Sequence, residues 1–239
     1  MGWQCARCIH QDAKTAPVTR WRPRQPGTLG ASRLTPVVMV LIAVNVVIFL
    51  IEETNLRSIE YRFALVPAFT PGERYRLITA AFLHEGFTHI FLNMITLVII
   101  GPAVETAIGK SRFLAVYLLA AFGGEVFSYL LGPLLEESLG ASGAIFGLMG
   151  AYYVLARRRG WDRSIVAPLI VVNLIFSFLD PAIDWRAHVG GLAVGALVAL
   201  IFSWTAGQAP RVRRAAEPLA CVGVLVVLGA LSLLPPGHV

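Results

Sequence analysis

Seven stretches of the chain are predominantly apolar, at roughly residues 36–52, 87–104, 113–132, 143–156, 165–179, 187–204 and 216–234, and polar or basic connections separate them. Allowing for tilt and semi-polar flanks, each is about long enough to cross a hydrocarbon core of ~30 Å. The pattern predicts an all-α fold, a polytopic membrane helix bundle in which apolar side chains face lipid and small residues let backbones approach. The first 34 residues stand apart: they are polar and rich in Arg and Pro. No apolar run near the start reads as a cleavable secretory signal, so they are expected to stay attached as a tail.

Composition strengthens this reading. Of 239 residues, 56% are hydrophobic, 14% are charged and 22 are glycine, and the mean hydropathy is +0.70. The charged fraction is about half that of an ordinary soluble domain, which argues against a water-soluble globule and against a disordered polar chain. A net charge of +6 would suggest nucleic acid in a soluble protein, but here topology explains it. Lys and Arg alternate in density from one connection to the next. The tail, the 110–112 turn, Arg157, Arg158, Arg159 and Arg163, and the 211–214 segment together hold 15 of the 20 basic residues on one face of a seven-span reading. Cationic loops are retained in the cytoplasm, so the N-terminus is expected inside and the C-terminus outside a cell membrane. No nucleic-acid partner is required.

Residues 53–86 form the longest connection, external in this topology, with apolar stretches such as 63–69 and the aromatics Tyr61 and Tyr75. A segment this apolar is expected to lie in or on the membrane interface; a loosely packed outer loop is the alternative.

Polar groups recur where the membrane makes them expensive. His84, His89 and Asn93 lie around the second span, Ser142 at the start of the fourth and His188 at the start of the sixth, all at one depth near the external ends. His84 and His89 are five apart, about 140° around a helix, so a zinc-protease pair, which needs four, fails on geometry. His89 and Asn93 are four apart and share a face, offering two hydrogen-bond donors; helix-gluing polar contacts are the alternative. Ser142 sits between small residues at a loop-to-helix junction, where backbone N–H groups are not yet used by the helix ladder. That arrangement suits a nucleophile with an oxyanion donor. Gly143 and Gly147 on the fourth span, and Ala187, Gly191 and Gly195 on the sixth, form small stripes that predict face-to-face packing. Ser142 and His188 would then meet near the external end of the contact, where an imidazole can take the hydroxyl proton. Phe146, one turn below Ser142, could hold the imidazole by stacking. Asp180 or Asp184 could be invoked as a third member, though neither is an obvious one.

In combination these motifs resemble the rhomboid family of intramembrane serine proteases. The resemblance covers roughly residues 36–204 and rests on Tyr75-Arg76, His84 with His89-x-x-x-Asn93, Gly101-x-x-x-Glu105, Gly140-x-Ser142-Gly143, and Ala187-His188-x-x-Gly191-x-x-x-Gly195. It implies a Ser142–His188 catalytic dyad, with His89, Asn93 and the Ser142 backbone N–H as the oxyanion site. Gly140 would shape the nucleophile loop, His84 would organise the first loop and its water, and Phe146 and Gly191 would support the dyad. The implied division is a tail over 1–34, a six-span core over 35–206, and a basic linker with a seventh span over 207–239. The Cys5-x-x-Cys8 pair resembles the end of a zinc-finger module found before some actinobacterial rhomboids. Two thiolates do not complete a zinc site, so no metal and no cofactor are expected; Cys221 reads as apolar packing.

The activity so implied is serine endopeptidase cleavage of transmembrane protein substrates near the external membrane face. Substrates would enter from the lipid bilayer past a lateral gate formed by the fifth span, with Pro168, Phe176 and Phe178, and the 180–185 loop. A non-proteolytic relative that binds transmembrane clients is the alternative. A transporter is disfavoured by few charges in the spans and no convincing repeat. Glu125 is the exception and is expected to hydrogen-bond inside the bundle.

Overall fold

The computed structural model describes residues 33–237, so Cys5, Cys8 and the rest of the tail before Arg33 lie outside the described residues. Among the described residues nine α-helices make the framework: α1 (Pro36–Glu52), α2 (Leu56–Phe63), α3 (Arg76–Thr79), α4 (Gly86–Ile108), α5 (Lys110–Leu131), α6 (Ser142–Arg159), α7 (Val166–Leu179), α8 (Trp185–Thr205) and α9 (Pro210–Leu231). A short 3-10 turn, Ala80–Phe82, follows α3. Among the described residues there is no β-sheet, only an isolated bridge between Leu65 and Ser138. The chain is an all-α, multi-pass membrane bundle: a six-helix core with α9 as a seventh helix.

The helices α4, α5, α8 and α9 are long and apolar enough to cross a bilayer, and α1 and α7 are shorter apolar helices. At 1.5 Å per residue, the 14 residues of α7 make it about 21 Å long, well short of a ~30 Å hydrocarbon core. By contrast α6 is longer than its apolar run, because the ladder continues through Arg157, Arg158 and Arg159 to the left-handed cap at Gly160. Similarly α9 starts at Pro210, six residues before its apolar run, and carries Pro218 inside.

Packing explains why α6 need not be strongly apolar. Every residue from Gly143 to Tyr152 is buried, so α6 is the central helix and sees protein on all sides. Side chains on Gly191 or Gly195 would overlap the carbonyls of Gly143 and Gly147 across the α6–α8 contact, and one on Gly124 of α5 would meet the Ala187 carbonyl at 2.7 Å. Three backbones therefore touch where lipid offers no hydrophobic drive and close van der Waals contact must supply the attraction.

Two polar devices fix the periphery. Glu105, 3% exposed, reaches from α4 to the start of α1, where its carboxylate accepts the Thr35 hydroxyl at 2.5 Å and the Val37 and Val38 amides at 3.1 Å each. It satisfies helix donors that lipid could not. At the other edge, α9 is tied by polar contacts at both ends. Glu217 pairs with Arg112 of α5 at 2.8 Å and accepts the Thr205 hydroxyl at 2.9 Å, and Arg74 donates to the carbonyl of Ser232. Between these ties only Leu228 of α9 is buried. Cys221 lies half-buried in an apolar groove against Leu118, Leu119 and Phe122.

The 53–86 connection is packed, and the loose-loop alternative is corrected. Ala64, Leu65 and Val66 are buried, Leu65 and Ser138 exchange backbone hydrogen bonds at 2.9 Å, and the buried Arg76 guanidinium holds the Ala64 carbonyl at 2.7 Å. Tyr75 donates to the Arg62 carbonyl at 3.1 Å. Glu125 is also buried, and its Oε2 has no hydrogen-bond partner among the described residues.

Candidate active site

Ser142 opens α6 and His188 lies in the first turn of α8. The small stripes that draw these helices together set the distance between them: Ser142 Oγ lies 2.8 Å from His188 Nε2. The imidazole is buried while Ser142 stays half-buried. Phe146, one turn along α6, stacks on the imidazole with ring centroids 4.2 Å apart and 14° between planes. Gly191, one turn below His188, gives the close approach.

The loop before α6 is shaped by Gly140. Its φ of +128° is strained for a residue with a Cβ, and a Cβ there would fall 2.8 Å from His89 Cε1 and Nε2 and 3.7 Å from Ser142 Oγ. His89 is thereby placed beside the serine loop. The Gly140 amide is held by the Ala80 carbonyl at 2.9 Å, which ties the nucleophile loop to the first connection. Helix geometry leaves the amides of Ser142, Gly143 and Ala144 outside the α6 ladder, whose start is marked by Ile145 N–H on the Ala141 carbonyl at 3.0 Å.

Asn93 sits one turn below His89, buried, with one carboxamide N–H donated to the His89 carbonyl at 3.2 Å. One of its two donors is thus committed to the backbone and one remains. His84 is fully buried, its amide donating to the Glu52 carboxylate at the end of α1 at 3.1 Å and its ring 5.2 Å from that of His89. Burial, and then the neighbouring His89, push the His84 pKa down to about 3. Its imidazole is neutral, with one donor and one acceptor lacking a partner among the described residues.

Asp184 and Asp180 do not complete a triad. Asp184 caps α8, accepting the amides of Arg186 and Ala187 at 3.0 and 3.4 Å, and Asp180 accepts the Ala182 amide at 3.0 Å. His188 Nδ1 instead meets Ser177 Oγ of α7 at 2.6 Å. Sequence reasoning passed over Ser177, a single hydroxyl in a short apolar span. The available signal was Asn173 and Ser177 lying four apart on one face, the only such polar pair on that helix. Among the described residues no three His, Cys, Asp or Glu side chains converge as metal ligands.

The sequence model of the Rhomboid domain matches residues 71–205. The chain belongs to the rhomboid family. That match contains every residue of the site described above except Glu52. YdcA of Bacillus subtilis is 34% identical over 178 residues, covering 71% of this chain and 89% of that protein. The rhomboid protease GluP of Bacillus subtilis is 41% identical over 129 residues, which is 52% of this chain and 25% of GluP. RHOMBOID-like protein 5 of Arabidopsis thaliana is 39% identical over 52% of this chain and 42% of its own length. Most of the length of these last two rhomboids lies outside the match.

Proposed function

We propose that this rhomboid is an intramembrane serine endopeptidase that cleaves transmembrane protein substrates through a Ser142–His188 dyad. The carrying observation is the 2.8 Å contact between Ser142 Oγ and His188 Nε2. As Ser142 Oγ attacks the scissile carbonyl carbon, its proton passes to His188 Nε2. The developing oxyanion takes hydrogen bonds from the Ser142 amide, the His89 ring and the remaining Asn93 donor, which stabilise charge as it appears. His188 then protonates the leaving amine. Water deprotonated by the same imidazole hydrolyses the acyl-enzyme and restores both side chains. A peptide bond inside a membrane helix is shielded by its own hydrogen bonds, so the substrate must unwind beside Ser142, at the end of the bundle where α6 and α8 begin. That end is external in a cell membrane when the basic connections are cytoplasmic, with the N-terminus inside and the C-terminus outside. No cofactor takes part.

The test is cleavage of a single-span reporter by the purified protein in liposomes. His188→Ala is expected to lower turnover by about 10²–10⁴-fold, and Ser142→Ala to abolish it. Equal cleavage by wild type and either variant overturns the assignment. Stable reporter binding without cleavage by wild type indicates a client-binding protein instead.

A further inference from the structure

Ser177 decides which nitrogen of His188 carries the proton. Its hydroxyl has a single hydrogen, and the Asn173 carbonyl one turn earlier lies 2.6 Å from Oγ, in position to accept it. With that hydrogen committed, the Oγ lone pairs face His188 Nδ1 at 2.6 Å. A contact this short between two acceptors is repulsive, so Nδ1 must be the donor. A neutral imidazole carries one donor and one acceptor. Protonation at Nδ1 therefore leaves Nε2 bare at 2.8 Å from the Ser142 hydroxyl, which is the form a general base requires. The opposite tautomer would point Nε2–H at Ser142 and leave no lone pair to take its proton.

The position of Ser177 in the fold gives this a second consequence. Of the 14 residues of α7, only Val166 and Ser177 are buried, and they lie near opposite ends. On the same face Leu169 and Ile170 pack half-buried against the core, while Val171, Val172, Ile175 and Phe176 of the opposite face are exposed. The helix is also the shortest apolar one in the bundle. One of the two buried side chains of α7 is thus the one that meets the imidazole.

We propose that Ser177 is a positioning residue that keeps His188 in the Nδ1-protonated tautomer, so that the base is ready only while α7 is seated against the bundle. This rests on the Ser142–His188 reading and adds a regulation of that site. The hydroxyl also accepts from Nδ1–H when the imidazole becomes cationic, so it favours the protonated ring during attack. The titratable groups near the ring are Asp184, at the cap of its own helix, and His89 of α4; Glu125 of α5 lies on the Asp184 side. No hydrogen bond joins any of them to the imidazole, and Ser177 supplies its polar partner on the Nδ1 side.

The test compares wild type, Ser177→Ala and Ser177→Thr in the liposome assay, together with ¹⁵N spectra of histidine-labelled protein in which the His188 signals are assigned by difference with His188→Asn. A neutral hydrogen bond contributes about 0.5–1.5 kcal/mol, or roughly 2–10-fold in rate. Ser177→Ala is expected to lose that much in kcat with KM unchanged, and Ser177→Thr to recover most of it. Removing an acceptor that favours the cationic ring lowers the base pKa, so the acid limb of the kcat/KM profile should move to lower pH in the alanine variant. Wild type should show an amine-like Nδ1 and an imine-like Nε2 signal, and Ser177→Ala a mixed or reversed pattern. Wild-type protein with the proton on Nε2 overturns the proposal whether or not any variant folds. So does an alanine variant with unchanged tautomer and pH profile. If Ser142→Ala and His188→Ala are inactive while Ser177→Ala matches wild type, only this proposal fails. If they remain active, the dyad itself is wrong.

Discussion

Gly140→Ala tests the site at the point where backbone strain and side-chain geometry coincide. Alanine at a φ of +128° occupies a region costing of order 1–3 kcal/mol for a residue with a Cβ. The new methyl also falls 2.8 Å from two His89 ring atoms, inside normal carbon–carbon contact, which begins at about 3.5 Å. Relief requires the ring or the loop to shift by roughly 0.7 Å, the difference between those two distances. Displacing one oxyanion donor costs about 10²–10³-fold in kcat, whereas the serine–histidine contact on the far side of Ser142 is not directly struck. The expected result is a folded protein destabilised by about 1–3 kcal/mol with reporter cleavage reduced about 10²-fold. Thermal unfolding in detergent and liposome turnover measure the two effects separately. Gly160→Ala is the control: Gly160 also has positive φ, at +69°, but nothing lies within 4 Å of an added Cβ. It should cost about 1 kcal/mol with unchanged turnover. If Gly140→Ala cleaves at the wild-type rate, the reading of His89 as a donor poised over the serine loop is refuted.

Phe146→Ala removes the ring stacked on His188; such pairs contribute about 0.5–1.5 kcal/mol beyond area burial, so kcat should fall several-fold and Phe146→Tyr should preserve it. Burial, then Glu85, Glu137 and Glu53, raise the Glu60 pKa above its ordinary 4.5. A raised carboxyl binds more protons folded than unfolded, so its penalty is fully present above the folded pKa and fades as pH falls through it. Glu60→Gln should accordingly raise the thermal midpoint at pH 7, with the gain shrinking toward pH 4; an equal gain at both pH values refutes this. A crosslink between α7 and α4 should block cleavage of a transmembrane reporter while leaving Ser142 reactive toward a small fluorophosphonate. Unimpaired reporter cleavage counts against entry past α7.

How much was legible in advance varies with the kind of contact. Lipid allows no unpaired backbone, so an apolar run of sufficient length must be a helix, and α1, α4, α5, α7 and α8 fall close to where the hydropathy pattern puts them. The i, i+4 stripes at Gly143/Gly147 and Ala187/Gly191/Gly195 also carry their meaning locally, because a surface without side chains specifies close approach whatever the neighbour. The Ser142 loop, the His89–Asn93 face and the imidazole over Phe146 could be read for the same reason, each being a short-range relation on one helix or across one small-residue contact.

What escaped depends on where separate elements end up. Ser177 is locally a helix serine bonded to its own backbone, and only the docking of α7 against α8 turns it toward His188. Glu52 looks like a stray charge until the first connection brings the His84 amide to it, and Glu105, though part of a motif, shows which amides it satisfies only once α1 is brought alongside α4. The apolar first connection suggests an interfacial segment, yet its seat depends on Leu65 meeting Ser138 and on Arg76 meeting the Ala64 carbonyl. Hydrophobic periodicity determines which face of each helix is buried and how near a neighbour can come. Which isolated polar group meets which is left to crossing geometry and loop docking, since one hydrogen bond leaves no periodic trace in the chain.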